Sequence, residues 1–162
     1  INGAVAGLIF AVSKSILIAM KSTAIIATAV TAMEIATPIG TKEAVSHFTI
    51  RELTYSVTAH RLDIDNTPPP DAVVCMRRLI DKVLEPARRQ LGAPIKVNSG
   101  YRCKALNRAV GGVERSYHLA GRAADITTGS VAGNRVLWSI LHKLPHTELI
   151  WEGGGAWIHV AL

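Results

Sequence analysis

The chain has 162 residues, 49% of them hydrophobic and 19% charged, long enough for one buried core and too apolar for a disordered or collagen-like chain. Its formal charge is +6, and residues 47–162 alone carry 15 Lys and Arg against 10 Asp and Glu. That balance suits a polyanionic partner without separating nucleic acid from an anionic cell wall. Cys75 and Cys103 form no CxxC pair, so two unpaired thiols are the expectation.

Residues 1–46 differ from everything after them. Ile1 to Ser13 carries no charge, Lys14 and Lys21 interrupt, and Ser22 to Met33 is a second apolar run rich in Ala, Ile and Thr. Neither uncharged run reaches the roughly 18 residues that argue a membrane span. A signal peptide opening at Met20, with Lys21 as its basic region and Ser22–Met33 as its apolar region, has suitable dimensions but a poor cleavage site. The first residue is not Met, so upstream read-through stands beside signal, membrane anchor and packed helix as a reading of this segment. Pro38-Ile39-Gly40-Thr41 then reads as a linker, which places the start of the main domain at His47.

Thr49-Ile50-Arg51-Glu52 has the form of a capping box, predicting a short helix with Leu53 facing inward. After a loop from Asp63 to Pro70, Val73, Met76, Ile80, Val83, Ala87 and Leu91 recur at steps of three and four, predicting the longest helix, stopped by Gly92. Pro86 inside it predicts a bend. Its Arg77, Arg78, Lys82, Arg88 and Arg89 read as a solvated face. Ile95–Val97 reads as a short strand, Leu106–Val110 as one or two helical turns stopped by Gly111-Gly112, and Ala123–Ile126 as a strand with Ala123 and Asp125 on one face. Ser130 caps a predicted helix from Val131 to Leu144, with Val136, Leu137, Ile140, Leu141 and Leu144 as its apolar stripe, ended by Pro145. Leu149–Glu152 and Trp157–Ala161 read as two strands joined by a four-residue loop, Gly153-Gly154-Gly155-Ala156. If Glu152 pairs with Trp157, then Glu152, Trp157 and His159 share one face while Ile158, Val160 and Leu162 enter the core.

Three of these residues carry metal chemistry. His118, Asp125 and His159 supply two imidazoles and a carboxylate, a mixture that zinc accepts when a fourth position is left for water. They sit in the pattern Ser-x-His-x-x-Gly-x-Ala-x-Asp (Ser116 to Asp125), preceded by Ser-Gly-Tyr-Arg at 99–102 and Leu-Asn at 106–107 and followed by Trp-x-His at 157–159. Over roughly His47 to Leu162 this resembles the M15 peptidases, zinc D-alanyl-D-alanine carboxypeptidases and L-alanyl-D-glutamate endopeptidases of bacteria and phages. Their zinc fold is also similar to the hedgehog signalling domain.

The resemblance implies an α+β domain with helices packed on a small antiparallel sheet, and Zn²⁺ held by His118, Asp125 and His159. It implies hydrolysis of peptidoglycan stem peptides, most like a D-Ala-D-Ala carboxypeptidase, with the L-alanyl-D-glutamate endopeptidase of phage endolysins and a non-catalytic, zinc-containing wall-binding module as alternatives. It also carries over Arg102 as the cation that meets the oxyanion and Ser116 as a polar group of the site. Tyr101 is placed as substrate pocket wall or packing. In better-known members the base Glu lies a few residues before the final His, where this chain has Ala156. Strand pairing therefore makes Glu152 the candidate base, with Glu148 second; diagonal neighbours on adjacent strands stand about 7–8 Å apart, within reach of a carboxylate. His146 is a rival base by its place in sequence, and His47, His60 and His142 match no motif. The expected partner is a peptidoglycan peptide rather than nucleic acid, the expected state a monomer, and the expected location extracytoplasmic or that of a phage lysis protein. A membrane contact is expected only through residues 1–46. A basic nucleic-acid binder is the reading from outside this class.

Overall fold

The computed structural model describes residues 46–162; the signal, anchor, read-through and helix readings fall on residues 1–45, outside the described residues. Thr49 Oγ1 accepts from Glu52 N at 3.1 Å and starts α1 (Ile50–Thr54), whose Leu53 is buried as expected. A second short helix that no sequence period announced, α2 (Val57–Arg61), begins at Ser56, whose hydroxyl accepts from Ala59 N. The long helix runs as α3 (Pro70–Leu79), a π-helical turn (Ile80–Leu84) and α4 (Glu85–Leu91), closed by Gly92 at φ 66°.

The expected bend at Pro86 takes the form of that π turn. Proline has no N–H and its ring crowds the carbonyl one turn back; widening the preceding turn, so that Glu85 N bonds to Ile80 O, relieves both without ending the helix. Arg77, Arg78, Lys82 and Arg89 are exposed, a solvated face. At the start of the described chain, Ser46 Oγ, His47 N and Phe48 N donate to the buried Glu85 carboxylate, and His47 Nδ1 lies 3.0 Å from it. Burial pushes the Glu85 carboxyl up, but these bonds outweigh it and hold the group below its usual value.

The sheet has four antiparallel strands in the order β1-β2-β4-β3: β1 (Lys96–Ser99), β2 (Ala123–Thr127), β3 (Glu148–Glu152) and β4 (Trp157–Ala161). Between β1 and β2 lie α5 (Lys104–Ala109), capped by the Cys103 sulfur, and a 3₁₀ turn (Tyr117–Ala120). Cys75 and Cys103 are free thiols. After β2, Ser130 Oγ caps α6 (Val131–Leu141) by accepting from Gly133 N. The helix stops three residues before the expected Leu144. Lys143 N and Leu144 N bond three residues back rather than four, a tightening imposed by Pro145, which disfavours helix at the residue before it. Val136 leaves the expected apolar stripe and is 55% exposed.

One face of the sheet supplies Ala124, Ile126, Ile158 and Val160 to a core shared with Met76, Leu79, Val83, Leu84, Leu137 and Leu141, all buried. This is the expected α+β class, with the long helix and α6 packed on that face. The opposite face carries Asp125 and His159. Buried Asn134 fastens α6 to the β3–β4 turn, donating to Gly155 O at 2.8 Å and to Thr127 Oγ1 at 3.0 Å while accepting from Thr128 N. Among the described residues no helix is long and apolar enough to cross a membrane.

Candidate metal centre

Strand register brings two of the three ligands together before any loop is considered. Asp125 on β2 stands directly opposite His159 on β4, so both side chains leave the sheet on the same side. The third comes from the 3₁₀ turn, which Ser116 Oγ caps by accepting from His118 N and Gly121 ends at φ 67°. A Cβ on Gly121 would stand 2.6 Å from Ala72 O, so only glycine lets α3 pack this close to the turn and press His118 towards the sheet.

The result is a triangle of nitrogen and oxygen atoms. His159 Nδ1 lies 2.8 Å from Asp125 Oδ1, His118 Nε2 3.2 Å from the same oxygen, and the two nitrogens are 3.2 Å apart. Ligands about 2.05 Å from a tetrahedral zinc are separated by about 3.3 Å, so the triangle is close to one face of that tetrahedron. Protonation supports the fit. His118 Nδ1 is 2.6 Å from Gly100 O; a carbonyl only accepts, so Nδ1 carries a proton and Nε2 is the ring nitrogen left to offer a metal its lone pair. Nε2 and the carboxylate oxygen 3.2 Å from it can face each other favourably only with a proton or a cation between them. His118 is 1% exposed and His159 9%, so water does little to stand in for that proton or cation.

Burial disfavours charge on Asp125, yet the hydrogen bonds and charges of His118 and His159 more than offset it and hold the carboxyl well below the usual carboxylate range. For His159 burial works downward, and the Asp125 bond together with the Asp125 and Glu148 charges outweighs it, raising the imidazole. Arg102 Nη2 is 3.4 Å from Asp125 Oδ2, and its buried Nε has no hydrogen-bond partner. Burial lowers the guanidinium pKa and the Asp125 charge partly restores it; an arginine stays charged regardless.

The triangle opens into a cleft of about 560 Å³ lined by Arg102, Ser116, His118, Asp125, Glu148, Ile150, Glu152, Trp157 and His159, among others. Glu152 pairs with Trp157 and Glu148 with Ala161, so both carboxylates are on the His159 side of the sheet, diagonal to it at opposite ends. They are not equivalent. Glu148 Oε2 lies 3.1 Å from His159 Nε2, behind the ring atom that faces the triangle and off the line of a good hydrogen bond, and that Nε2 is otherwise unpartnered. Glu152 touches none of the three ligands through a hydrogen bond and faces the open cleft. The Ser116 hydroxyl is engaged by His118 N at the cleft edge. Of the two expected places for Tyr101, packing and pocket wall, it takes the first: it is 6% exposed within the core and does not line this cleft. His146 is exposed, bonded to Leu144 O and edge-on to His142, and it is not in the cleft.

Comparison with known families fixes what these residues belong to. A family model described as Peptidase M15 matches residues 46–161. The chain belongs to the M15 peptidases. A peptidase with a His-Asp-His group able to hold a metal follows at that coarse level, and its substrate is a peptide. No curated protein matches the chain in sequence. For this M15 peptidase the sequence motif left out one contributor: Gly100 was visible in Ser-Gly-Tyr-Arg, but its role lies in a backbone carbonyl, and a glycine carries no side chain to signal it.

Proposed function

We propose that this M15 peptidase is a zinc enzyme that hydrolyses peptidoglycan stem peptides outside the cytoplasm or during phage lysis. The observation that carries the reading is the triangle of His118 Nε2, Asp125 Oδ1 and His159 Nδ1, with one imidazole fixed as a lone-pair donor by Gly100. Zn²⁺ held there supplies Lewis acidity and makes water nucleophilic near neutral pH. The chain's own residues do the rest. Glu152 takes a proton from the attacking water on a carboxylate oxygen and returns it to the nitrogen of the leaving amine. Arg102 offers its unpartnered Nε–H to the oxygen of the carbonyl under attack, in a site where burial strengthens the interaction.

Digestion of purified peptidoglycan, read by mass spectrometry, tests this: cleaved stems are expected, lost on chelation and restored by zinc. Intact stems with zinc bound would instead favour a wall-binding module.

Glu148 is given the supporting role: its carboxylate, 3.1 Å from His159 Nε2, favours a proton on that nitrogen and so leaves Nδ1 its lone pair. Glu148→Ala is expected to weaken zinc affinity about 10–100-fold, with Glu148→Gln restoring most of it. Competition with a chromophoric chelator measures this; unchanged affinity with a collapsed kcat would make Glu148 the base instead.

A further inference from the structure

The side of the sheet away from the metal carries a site of a different kind. Arg135, Trp138, Ser139 and His142 recur at steps of three and four along α6 and the residue that ends it, so they share one helix face. On β3, Ile150 lines the metal cleft, so its neighbour Trp151 leaves the sheet on the helix side. The Trp151 indole rests against the β3–β4 turn, where a Cβ on Gly155 would stand 2.3 Å from its Cζ2. Arg135, Trp138 and Ser139 of α6, with Trp151 and Gly154, line a cavity of about 450 Å³.

Its chemistry is one-sided. Trp138 and Trp151 meet edge to face with ring centroids 5.5 Å apart, and the row continues through His142, 4.9 Å from Trp138, to His146, 6.0 Å from His142. Both indoles are half-buried, and both imidazoles are exposed. Ser139 Oγ donates back to Arg135 O. Among the described residues neither indole N–H nor the Arg135 guanidinium has an acceptor, and no carboxylate lines the cavity. A ligand that satisfies this set offers an apolar face to the rings and a rim of oxygen acceptors to the donors. A saccharide has that form, with C–H groups on the faces of its ring and hydroxyl, acetamido or carboxylate oxygens around its edge. An apolar peptide side chain would cover the rings and leave the donors unmet. Four rings in a row are more than one pyranose covers, which favours a chain of sugars.

We propose that this cavity binds the glycan strand of the wall polymer whose stem peptides the metal centre cuts. The β3–β4 turn separates the two sites: Glu152 and Trp157 line the metal cleft, and Gly154 lines this cavity. A sugar chain seated on the indoles holds its stems beside the tip of that turn, raising their concentration at the metal without a new contact to the peptide. This rests on the peptidoglycan reading and adds a second point of attachment to it.

The test uses the zinc-loaded protein and three probes: an N-acetylglucosamine tetrasaccharide, intact peptidoglycan and a free stem pentapeptide. Calorimetry is expected to show tetrasaccharide binding, accompanied by a change in indole emission and much stronger than binding of the monosaccharide. Arg135→Ala is expected to weaken it about tenfold, as for loss of a charged hydrogen bond. Arg135 is exposed, so the fold does not depend on it. Trp138→Phe, which keeps a ring against the core but removes the N–H, is expected to weaken it less. Arg135→Ala is also expected to slow cleavage of intact peptidoglycan about tenfold while kcat/KM for the free pentapeptide stays unchanged. Absence of tetrasaccharide binding, or equal loss of cleavage on polymer and free peptide, overturns the proposal and leaves the peptidase reading standing. So does unaltered affinity in both variants. Saccharide binding that Arg135→Ala weakens, with no zinc-dependent cleavage of either peptide substrate, upholds the sugar site and overturns the peptidase reading.

Discussion

Replacing His118 by alanine is expected to abolish tight zinc binding and reduce peptide hydrolysis by about 10³-fold or more, since Lewis-acid stabilisation of several kcal/mol is lost with the ion. The size follows from geometry. His118 is one corner of a three-atom set, its ring locked by Gly100 O at 2.6 Å, and the two remaining ligands cannot close the triangle alone. Metal content after dialysis, measured by atomic emission, and the hydrolysis rate at saturating peptide check the two parts separately. Retention of one zinc per chain with normal turnover would remove the triangle from the mechanism. Folding should survive in part, because Ala124, Ile126, Ile158 and Val160 point into the core from the other face of the sheet.

Glu152→Gln is expected to leave zinc content unchanged and lower kcat by about 10²–10⁴-fold, the range for loss of a positioned general base. Glutamine has nearly the same shape and still lines the cleft, but its amide takes up no proton. Substrate affinity should change little, so the loss falls on kcat rather than KM. A parallel Glu148→Gln protein sharpens the result, because it keeps an oxygen beside His159 Nε2. Full activity in Glu152→Gln would pass the role of base to another group.

These expectations also show what the sequence could and could not tell. Parity is short-range and survives without a structure: the Glu152–Trp157 pair, the four-residue loop and the placing of Ile158 and Val160 in the core all follow from alternation and turn length. The meeting of His118, Asp125 and His159 was legible through the family resemblance, whose pattern holds two of them in one short turn-and-strand motif and the third on the last strand. Other features depend on contacts that no period encodes. Glu85 faces inward because Ser46, His47 and Phe48 come back to it from far along the chain. Asn134 is buried because five backbone and hydroxyl groups converge on it. Tyr101 follows the same logic, since its neighbours, Leu53 and Asn66, lie 35 residues or more away. The π turn and the early end of α6 are local, but each is a compromise with a proline whose form depends on the packing around it.

Gly100 joins two matters that enzymes often keep apart. A methyl group there would stand 2.2 Å from Leu53 O, so α1 rests directly on the backbone whose carbonyl steers the His118 ring. The first helix of the domain is therefore mechanically in series with a metal ligand: a loosened seat for Leu53 moves the peptide plane at Gly100, and the imidazole turns with it. Robustness of the fold and grip on the ion are set by the same hinge, and neither can drift in evolution without the other registering the change.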